Sequence, residues 1–173
     1  AVNRGFSSVV MPAFDQSLQD SECTFCGQCV AVCPVGALTE LDHTNRLIKD
    51  LADPDKTVIV QTAPAVRAAL GEEFALPAGT SVTGKMVAAL RKLGFAKVFD
   101  TDFAADLTIM EEGTELLGRL GAFLNGDKSV KLPIITSCCP GWVNFFEKQF
   151  PDLLDMPSSA RSPQQMFGSI AKK

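Results

Sequence analysis

The sequence predicts an α+β or α/β protein in which a small cysteine-rich domain precedes an α/β lobe, with a parallel or mixed sheet flanked by helices. Four cysteines fall within residues 23–33, which indicates a domain organised around something other than an apolar core. A β-branched run, TVIVQT, occupies residues 57–62, and apolar runs alternate with helical patterns after it. No hairpin signal separates these runs, which favours a parallel or mixed sheet. We therefore expect two domains, residues 1–50 and 51–173.

Composition and charge exclude several classes of protein. The chain has 173 residues, 46% hydrophobic and 21% charged, as expected for one ordinary globular domain or two small ones. The formal net charge is −4 and no basic block is present, so we expect no nucleic-acid partner. No apolar run reaches 18 residues, which predicts that no segment spans a membrane. Residues 1–5 lack the pattern of a secretory signal, which favours a cytoplasmic location.

The elements follow from local patterns taken in chain order. The first twenty residues show no dependable period, and residues 21–39 are rich in Cys, Gly and small side chains. Leu47, Ile48 and Leu51 predict a short helix that ends before the turn at residues 53–55. Strands are predicted at residues 57–62, 96–99 and 132–135. Helices are predicted at residues 64–70, from Thr83 to a stop at Gly94, at residues 103–124, and from Pro140 onward.

The first four cysteines have a spacing that is specific for iron–sulfur clusters. Cys23, Cys26, Cys29 and Cys33 form CxxCxxCxxxC and are followed by Pro34. In this bacterial ferredoxin spacing three cysteines bind one [4Fe–4S] cluster and the fourth binds the other cluster of a pair. A structural zinc site would instead use two CxxC knuckles separated by a longer loop. The run predicts a ferredoxin-like [4Fe–4S] domain that supplies half of a two-cluster arrangement.

The other two cysteines, Cys138 and Cys139, lie between the third predicted strand and the helix that begins at Pro140. Ligands in open α/β sheets bind at this carboxyl edge. Two buried structural cysteines are the alternative that these residues alone leave open, since cysteine is among the most buried residue types.

Residues 136–143, TSCCPGWV, resemble the first cysteine motif of the [FeFe]-hydrogenases. The likeness covers residues 20–173, and TSCCPGW is highly specific, whereas the ferredoxin run fits many redox proteins. Further motifs similar to that family's catalytic domain follow in the family's order: residues 63–67 (APAVR), 82–85 (VTGK), 93–95 (LGF), 109–112 (IMEE), 114–115 (TE) and 158–165 (SSARSPQQ).

This resemblance implies roles for individual residues. Cys139 is expected to be a ligand of the H-cluster, in which a [4Fe–4S] cube is joined to a diiron unit carrying CO and cyanide, and Cys138 to be the proton donor and acceptor facing that unit. A thiol suits proton transfer because its ordinary pKa lies close to neutral. In this family a chain of side chains carries protons to and from the cofactor. The resemblance implies that Glu112, Ser158 and Glu115 form this chain here, with Arg119 near the point where protons leave it. The loop Ala63, Pro64 and Ala65 is expected to contact a cyanide through its backbone. Arg67 is expected either to pair with an acidic residue or to approach the cofactor.

The resemblance also implies partners. The family completes its cubane with three cysteines from two later motifs, and residue 173 precedes both, so we expect a segment that is inactive alone and needs the remainder of the hydrogenase polypeptide. Other expected partners are ferredoxin or NAD(P)-linked redox subunits, maturation proteins, and H2 and protons. The implied function is reversible oxidation of H2, with electrons relayed through [4Fe–4S] clusters.

Three other functions remain open at this point. The hydrogenase-like proteins of cytosolic iron–sulfur assembly lack the diiron unit, and sensory hydrogenases lack the first thiol of the cysteine pair. A simple ferredoxin-type electron carrier would use the α/β region only for docking. The adjacent Cys138 and Cys139 favour the enzyme over the assembly and sensory proteins.

Overall fold

A computed structural model describes residues 2–172 and shows a mainly helical chain around a small parallel sheet. The helices and strands, in chain order, are α1 (Gln28–Ala31), α2 (Thr44–Ala52), β1 (Ile59–Thr62), α3 (Val66–Ala69), α4 (Thr83–Lys92), β2 (Lys97–Asp100), α5 (Thr101–Leu124), α6 (Pro140–Gln149) and α7 (Pro163–Ala171). Short 3-10 turns lie at Gly5–Ser7, Ala13–Asp15, Leu18–Asp20, Glu72–Phe74 and Pro151–Leu153. No helix in this part of the chain is both long and apolar enough to cross a membrane.

The sheet consists of β1 and β2, which pair in parallel with Ile59 opposite Lys97 and Thr62 opposite Asp100. Two parallel neighbours need a crossover connection, and here it contains α3 and α4. The predicted α/β arrangement of a parallel sheet flanked by helices is confirmed. The carboxyl ends of both strands lie at one edge of the sheet; three residues separate β1 from α3, and β2 leads directly into α5.

The third predicted strand, residues 132–135, is wrong. Only Ile135 forms a bridge, with Pro157 as its parallel partner. Its amide donates to the Met156 carbonyl at 3.0 Å, and its carbonyl accepts from the Ser158 amide at 2.7 Å. Pro133 has no amide hydrogen to extend a ladder, so the apolar run remains a loop. The cysteine pair therefore follows a single bridge, not the end of a strand.

The described core is small and draws on side chains of α4, α5, α6 and α7 and of the loops next to α4. Its buried apolar members are Val82, Met86, Phe95, Ala104, Phe146 and Phe167. Phe99 of β2 contacts Phe167 of α7 with ring centroids 5.1 Å apart, and Trp142 contacts Phe146 within α6 at 5.3 Å. Thr108 of α5 donates to the Arg161 carbonyl at 3.3 Å. These contacts join α7 to β2 and α5 to the segment before α7.

Side-chain caps explain where two of the helices begin. Asp100 precedes α5 and accepts a hydrogen bond from the Asp102 amide at 3.1 Å, while Ser162 precedes α7 and accepts from the Gln165 amide at 3.4 Å. Both residues have extended backbone and belong to the types that satisfy the free amides of a first turn.

Candidate functional site

Cys138 and Cys139 lie in an exposed position at the start of α6. Cys139 precedes the helix with extended backbone, and Pro140 occupies its first position, where a missing amide hydrogen costs nothing. The hydroxyl of Ser137 donates to the carbonyls of Ser158 and Ala160 at 2.8 and 3.0 Å, which ties this loop to residues 157–161. The two thiols are therefore presented to the surroundings and are not buried among aliphatic side chains.

A cavity of about 330 Å³ lies beside the cysteine pair and places Cys138 and Ser158 on a common wall. Other parts of the wall come from α6 and α7, including Asn144 and Gln165. Ser158 also borders a second cavity of about 400 Å³, and Arg119 forms another part of the wall of that cavity. A side chain that borders both spaces connects the surroundings of the Cys138 thiol with those of the Arg119 guanidinium.

Ser158, Glu115 and Arg119 form one hydrogen-bonded network. The Ser158 hydroxyl donates to Oε2 of Glu115 at 2.7 Å, and Nη2 of Arg119 donates to Oε1 at 2.6 Å. Ser159 adds its amide at 3.1 Å and its hydroxyl at 3.3 Å to the same Oε2. Ser158 is 7% exposed. Three of the five residues assigned to proton transfer by sequence are thus in direct contact.

Arg119 is held by backbone as well as by Glu115. Its Nη1 donates to the Asp155 carbonyl at 2.7 Å, and its Nη2 donates to the Pro157 carbonyl at 3.2 Å. A guanidinium presents five donors in a fixed plane, so several acceptors can orient it at once. The arginine therefore links α5 to the segment that carries Ser158.

The surroundings of Glu115 act on its pKa in opposite directions. Burial of the carboxyl raises the pKa, while the Ser158 hydroxyl, the Arg119 guanidinium and the Ser159 amide lower it by stabilising the carboxylate. The net result is a pKa below the ordinary value of a glutamate. Glu115 is held as a carboxylate that accepts hydrogen bonds from four donor groups.

Glu112 lies one turn before Glu115 on α5, but its environment differs. The side chain is half-buried, and Oε1 is shielded from solvent without a hydrogen-bond partner among the residues that the structure describes. A shielded carboxyl oxygen without a donor is costly in a folded protein. In residues 2–172 no hydrogen bond joins Glu112 to Ser158 or Cys138, so the structure does not bring this predicted relay residue into the network.

The four-cysteine run forms an irregular loop around α1. All four thiols are free, with Cys26 and Cys29 exposed and Cys23 and Cys33 half-buried. The Phe25 amide donates to Sγ of Cys23 at 3.4 Å, and the Ala37 amide donates to Sγ of Cys33 at 3.3 Å. Within residues 2–172 no three Cys, His, Asp or Glu side chains converge on a point that could hold a metal ion.

The chemistry of this loop fits a thiolate-bound cluster. The Gln28 amide and the Thr24 hydroxyl lower the pKa of Cys26 by hydrogen bonding to its sulfur. Amides of Val35, Leu38 and Ala37 do the same for Cys33. Iron is bound by the thiolate form of cysteine, so backbone donors directed at sulfur favour the state that a [4Fe–4S] cluster requires.

Helix α6 contacts the cysteine loop, which the sequence did not reveal. The Asn144 amide group donates to the Thr24 carbonyl at 3.4 Å, and Lys148 Nζ donates to the carbonyls of Ser21 and Cys23, at 3.1 Å for Cys23. A Cβ on Gly141 would lie 3.6 Å from Cα of Cys26. Gly141, Asn144 and Lys148 recur at helical spacing on one face of α6, and that spacing was the only available signal.

The loop Ala63, Pro64 and Ala65 is exposed at the carboxyl end of β1. Arg67, just beyond it, pairs with Asp100 at 2.7 Å and with Asp102 at 3.2 Å. Of the two roles expected for Arg67, the structure shows pairing with acidic residues. No hydrogen bond within residues 2–172 connects the Ala63–Ala65 backbone to the cysteine pair.

Two family models match the chain. The model described as iron only hydrogenase large subunit, C-terminal domain, matches residues 56–173, and a 4Fe-4S binding domain matches residues 18–39. The NADP-reducing hydrogenase subunit HndD of Solidesulfovibrio fructosivorans is 71% identical over 171 residues, which are 99% of this chain and 29% of that protein. Iron hydrogenase 1 of Clostridium pasteurianum is 50% identical over 139 residues, which are 80% of this chain and 23% of the relative.

Solved structures agree with these matches. A structure of a variant of [FeFe]-hydrogenase HydA1 from Chlamydomonas reinhardtii aligns with a TM-score of 0.71 at 46% identity. The alignment covers 77% of this chain and 33% of the HydA1 chain.

The cytosolic iron-sulfur assembly component 3 of Bos taurus is more distant in sequence, at 34% identity over 159 residues, which are 87% of this chain and 33% of the relative. The chain thus spans about a third or less of the relatives it matches. Because the large-subunit model matches well over half of the chain, the protein belongs to the iron-only hydrogenase family.

Proposed function

We propose that this chain is part of an [FeFe]-hydrogenase that catalyses the reversible oxidation of H2 to protons and electrons. One observation carries the proposal: an exposed cysteine pair lies at the start of α6 beside a cavity whose wall also contains Ser158, and Ser158 donates to the half-buried carboxylate of Glu115. A thiol, a hydroxyl and a carboxylate in this order are groups that can pass protons. Two buried structural cysteines would not be presented in this way.

The residues fit the cofactors of the family. Cys23, Cys26, Cys29 and Cys33 are the proposed ligands of [4Fe–4S] clusters, in line with the match of residues 18–39 to a 4Fe-4S binding domain. Cys139 is the proposed ligand of the H-cluster, which supplies the iron chemistry at which H2 is split and formed. Ala63, Pro64 and Ala65 are proposed to contact that cofactor through backbone groups, which their exposure at the end of β1 permits.

Cys138 is the proposed proton donor and acceptor. A proton from its thiol is proposed to reach the Ser158 hydroxyl, which borders the same cavity as Cys138, and then to pass to Oε2 of Glu115 and leave near Arg119. Glu112 is proposed to act between Cys138 and Ser158. Its shielded oxygen supports this role because it has no described hydrogen-bond partner and is left free to accept a donor group.

We further propose a division into an iron–sulfur domain, residues 1–50, and a hydrogenase lobe, residues 51–173. The two family matches, residues 18–39 and 56–173, fall on either side of this boundary. The remainder of the hydrogenase polypeptide, maturation proteins and a ferredoxin or NAD(P)-linked redox subunit are the proposed partners. The 71% identity to an NADP-reducing hydrogenase subunit supports the redox subunit as a partner, and it also supports a cytoplasmic location.

The deciding experiment is anaerobic purification of the full-length protein, matured with its cofactors, followed by infrared spectroscopy and assays of H2 uptake and evolution. Bands from bound CO and cyanide together with both activities are expected. An iron–sulfur signal without those bands or activities would contradict the proposal and favour an assembly-type protein, such as the bovine relative, or a simple electron carrier.

A further inference from the structure

The loop that carries the first two cysteines runs antiparallel to α6. Cys26 lies near Gly141, Thr24 near Asn144, and Ser21 and Cys23 near Lys148. The cysteine loop and the pair Cys138 and Cys139 are thereby attached to one rigid helix, the pair at its start and the loop along its side.

Lys148 is the charged member of this contact. Its ammonium is directed at the carbonyls of Ser21 and Cys23, and the side chain is half-buried by the loop. No carboxylate of residues 2–172 forms an ion pair with it, although other lysines such as Lys56 and Lys131 do pair. The positive charge therefore acts on the cysteine loop without a neutralising partner in this part of the chain.

The last turn of α6 is a favourable place for this cation. Lys148 lies in that turn, where the carbonyl end of the helix dipole stabilises a positive charge. Two carbonyl acceptors and the dipole together hold the ammonium beside the loop.

We propose that Lys148 raises the reduction potential of the [4Fe–4S] cluster bound by Cys23, Cys26 and Cys29. This inference rests on the proposed function, because it requires the cluster. In the one-electron reduction the redox partner supplies the electron, and the cluster gains one negative charge. No bond is broken and no proton is released. A nearby cation stabilises the reduced form more than the oxidised form. Cluster potentials respond to local charge and hydrogen bonding in this way.

Lys148 is a positioning residue, since it acts through the ligand loop and its hydrogen bonds in the described part of the chain go to carbonyls of that loop. The matched variants are Lys148→Gln, which removes the charge and keeps a donor, and Lys148→Arg, which keeps both. Lys128→Gln is the control, because Lys128 is an exposed lysine in a loop after α5. Asn144→Lys adds a cation one turn earlier on the same face, beside the Thr24 carbonyl.

The measurement is a redox titration of the cluster-loaded, full-length protein followed by electron paramagnetic resonance. In Lys148→Gln we expect the equilibrium constant for reduction of the cluster to fall by up to about tenfold. For a one-electron reduction this corresponds to a reduction potential that is lower by about 59 mV. Lys148→Arg and Lys128→Gln should keep the native potential, and Asn144→Lys should raise it.

The outcomes separate this inference from the proposed function. A wild-type protein without an iron–sulfur signal contradicts the proposed function itself. A native signal with an unchanged potential in Lys148→Gln overturns only the role of Lys148. If Lys148→Gln does not retain its cluster, Asn144→Lys decides, and an unchanged potential in that variant overturns the inference.

Discussion

Ser158 donates its hydroxyl proton to Oε2 of Glu115 at 2.7 Å, although the two residues are 43 positions apart. The contact is held from both sides. The Ser158 amide donates a hydrogen bond to the Ile135 carbonyl, and the Glu115 carboxylate accepts one from the Arg119 guanidinium. A hydroxyl can accept one proton while donating another, so this geometry is suited to passing a proton between the cavity beside Cys138 and the carboxylate.

Replacing Ser158 with Ala should reduce H2 evolution by about 100-fold, the lower range for loss of a positioned proton-transfer group. The variant lacks the hydroxyl but keeps the Ser158 backbone contacts with Ile135. Steady-state rates of the matured full-length protein provide the measurement. Ser159→Ala is the control, because the Ser159 amide still donates to Glu115 after its hydroxyl is removed. Equal rates in the two variants would argue against a route through Ser158.

The sequence predicted much of the lobe because its elements are encoded locally. The β-branched run gave β1, the apolar period gave α4 and α5, and Pro140 marked the first residue of α6. The loop at residues 132–135 was misassigned because an apolar run has no signal for the absence of a partner strand, and Pro133 weakened the ladder.

The site was predictable only where a motif carried it. Ser158, Glu115 and Arg119 came from the resemblance, and their mutual contacts required the fold. The roles of Lys148 and Asn144 have no sequence signal, because a lysine and an asparagine on a helix usually face solvent. Their partners are backbone carbonyls more than 100 positions away, and a carbonyl leaves no trace in a sequence.

The lowered pKa of Glu115 predicts a specific dependence of stability on pH. A carboxyl whose folded pKa is below its unfolded value of about 4.3 stabilises the protein fully above that pH. This stabilisation is lost as the pH falls through the folded pKa. Glu115→Gln should therefore lower the free energy of unfolding by about 2 kcal/mol near neutral pH and by much less in acid. Urea unfolding of this chain and of the variant, at neutral pH and in acid, measures how the loss of stability depends on pH. The same loss of unfolding free energy at the two pH values would show that ionisation of Glu115 is not responsible.

Glu112→Gln should separate a functional carboxyl group from a structural one. Glutamine keeps the size of the side chain but cannot carry a proton as a carboxyl group does, so we expect a fall in H2 evolution of about 100-fold. Stability should change little, because Oε1 has no described hydrogen-bond partner to lose. The exposed neighbour Glu111 provides the control substitution Glu111→Gln. A native rate in Glu112→Gln would remove this residue from the route.

Asp100 connects two elements at the edge of the sheet and should contribute to stability more than its neighbour Asp102. It accepts from Arg67 at 2.7 Å and also caps α5 through the Asp102 amide. Loss of the cap and the ion pair in Asp100→Ala should cost about 1–2 kcal/mol. Asp102→Ala should cost about 0.5 kcal/mol or less, because its side chain is 58% exposed. Chemical denaturation of the two variants compares them directly, and equal losses would contradict the assigned cap.

Adjacent cysteines at the start of α6 are proposed to have different tasks, and replacing each in turn separates them. Cys138→Ser should retain the iron content and the infrared bands of the matured protein while H2 evolution falls at least about 100-fold, since a serine hydroxyl is a far weaker acid than a thiol. Cys139→Ser should lose iron, because an alcohol is a poor ligand for an iron–sulfur cube. Iron content, infrared spectra and rates are measured on the same preparations, with Ser137→Ala as a control for disturbance of the loop that Ser137 ties to Ser158 and Ala160. If the iron loss occurs in Cys138→Ser and not in Cys139→Ser, the two roles are reversed; if neither variant loses iron or activity, the pair is structural and the proposed site is wrong.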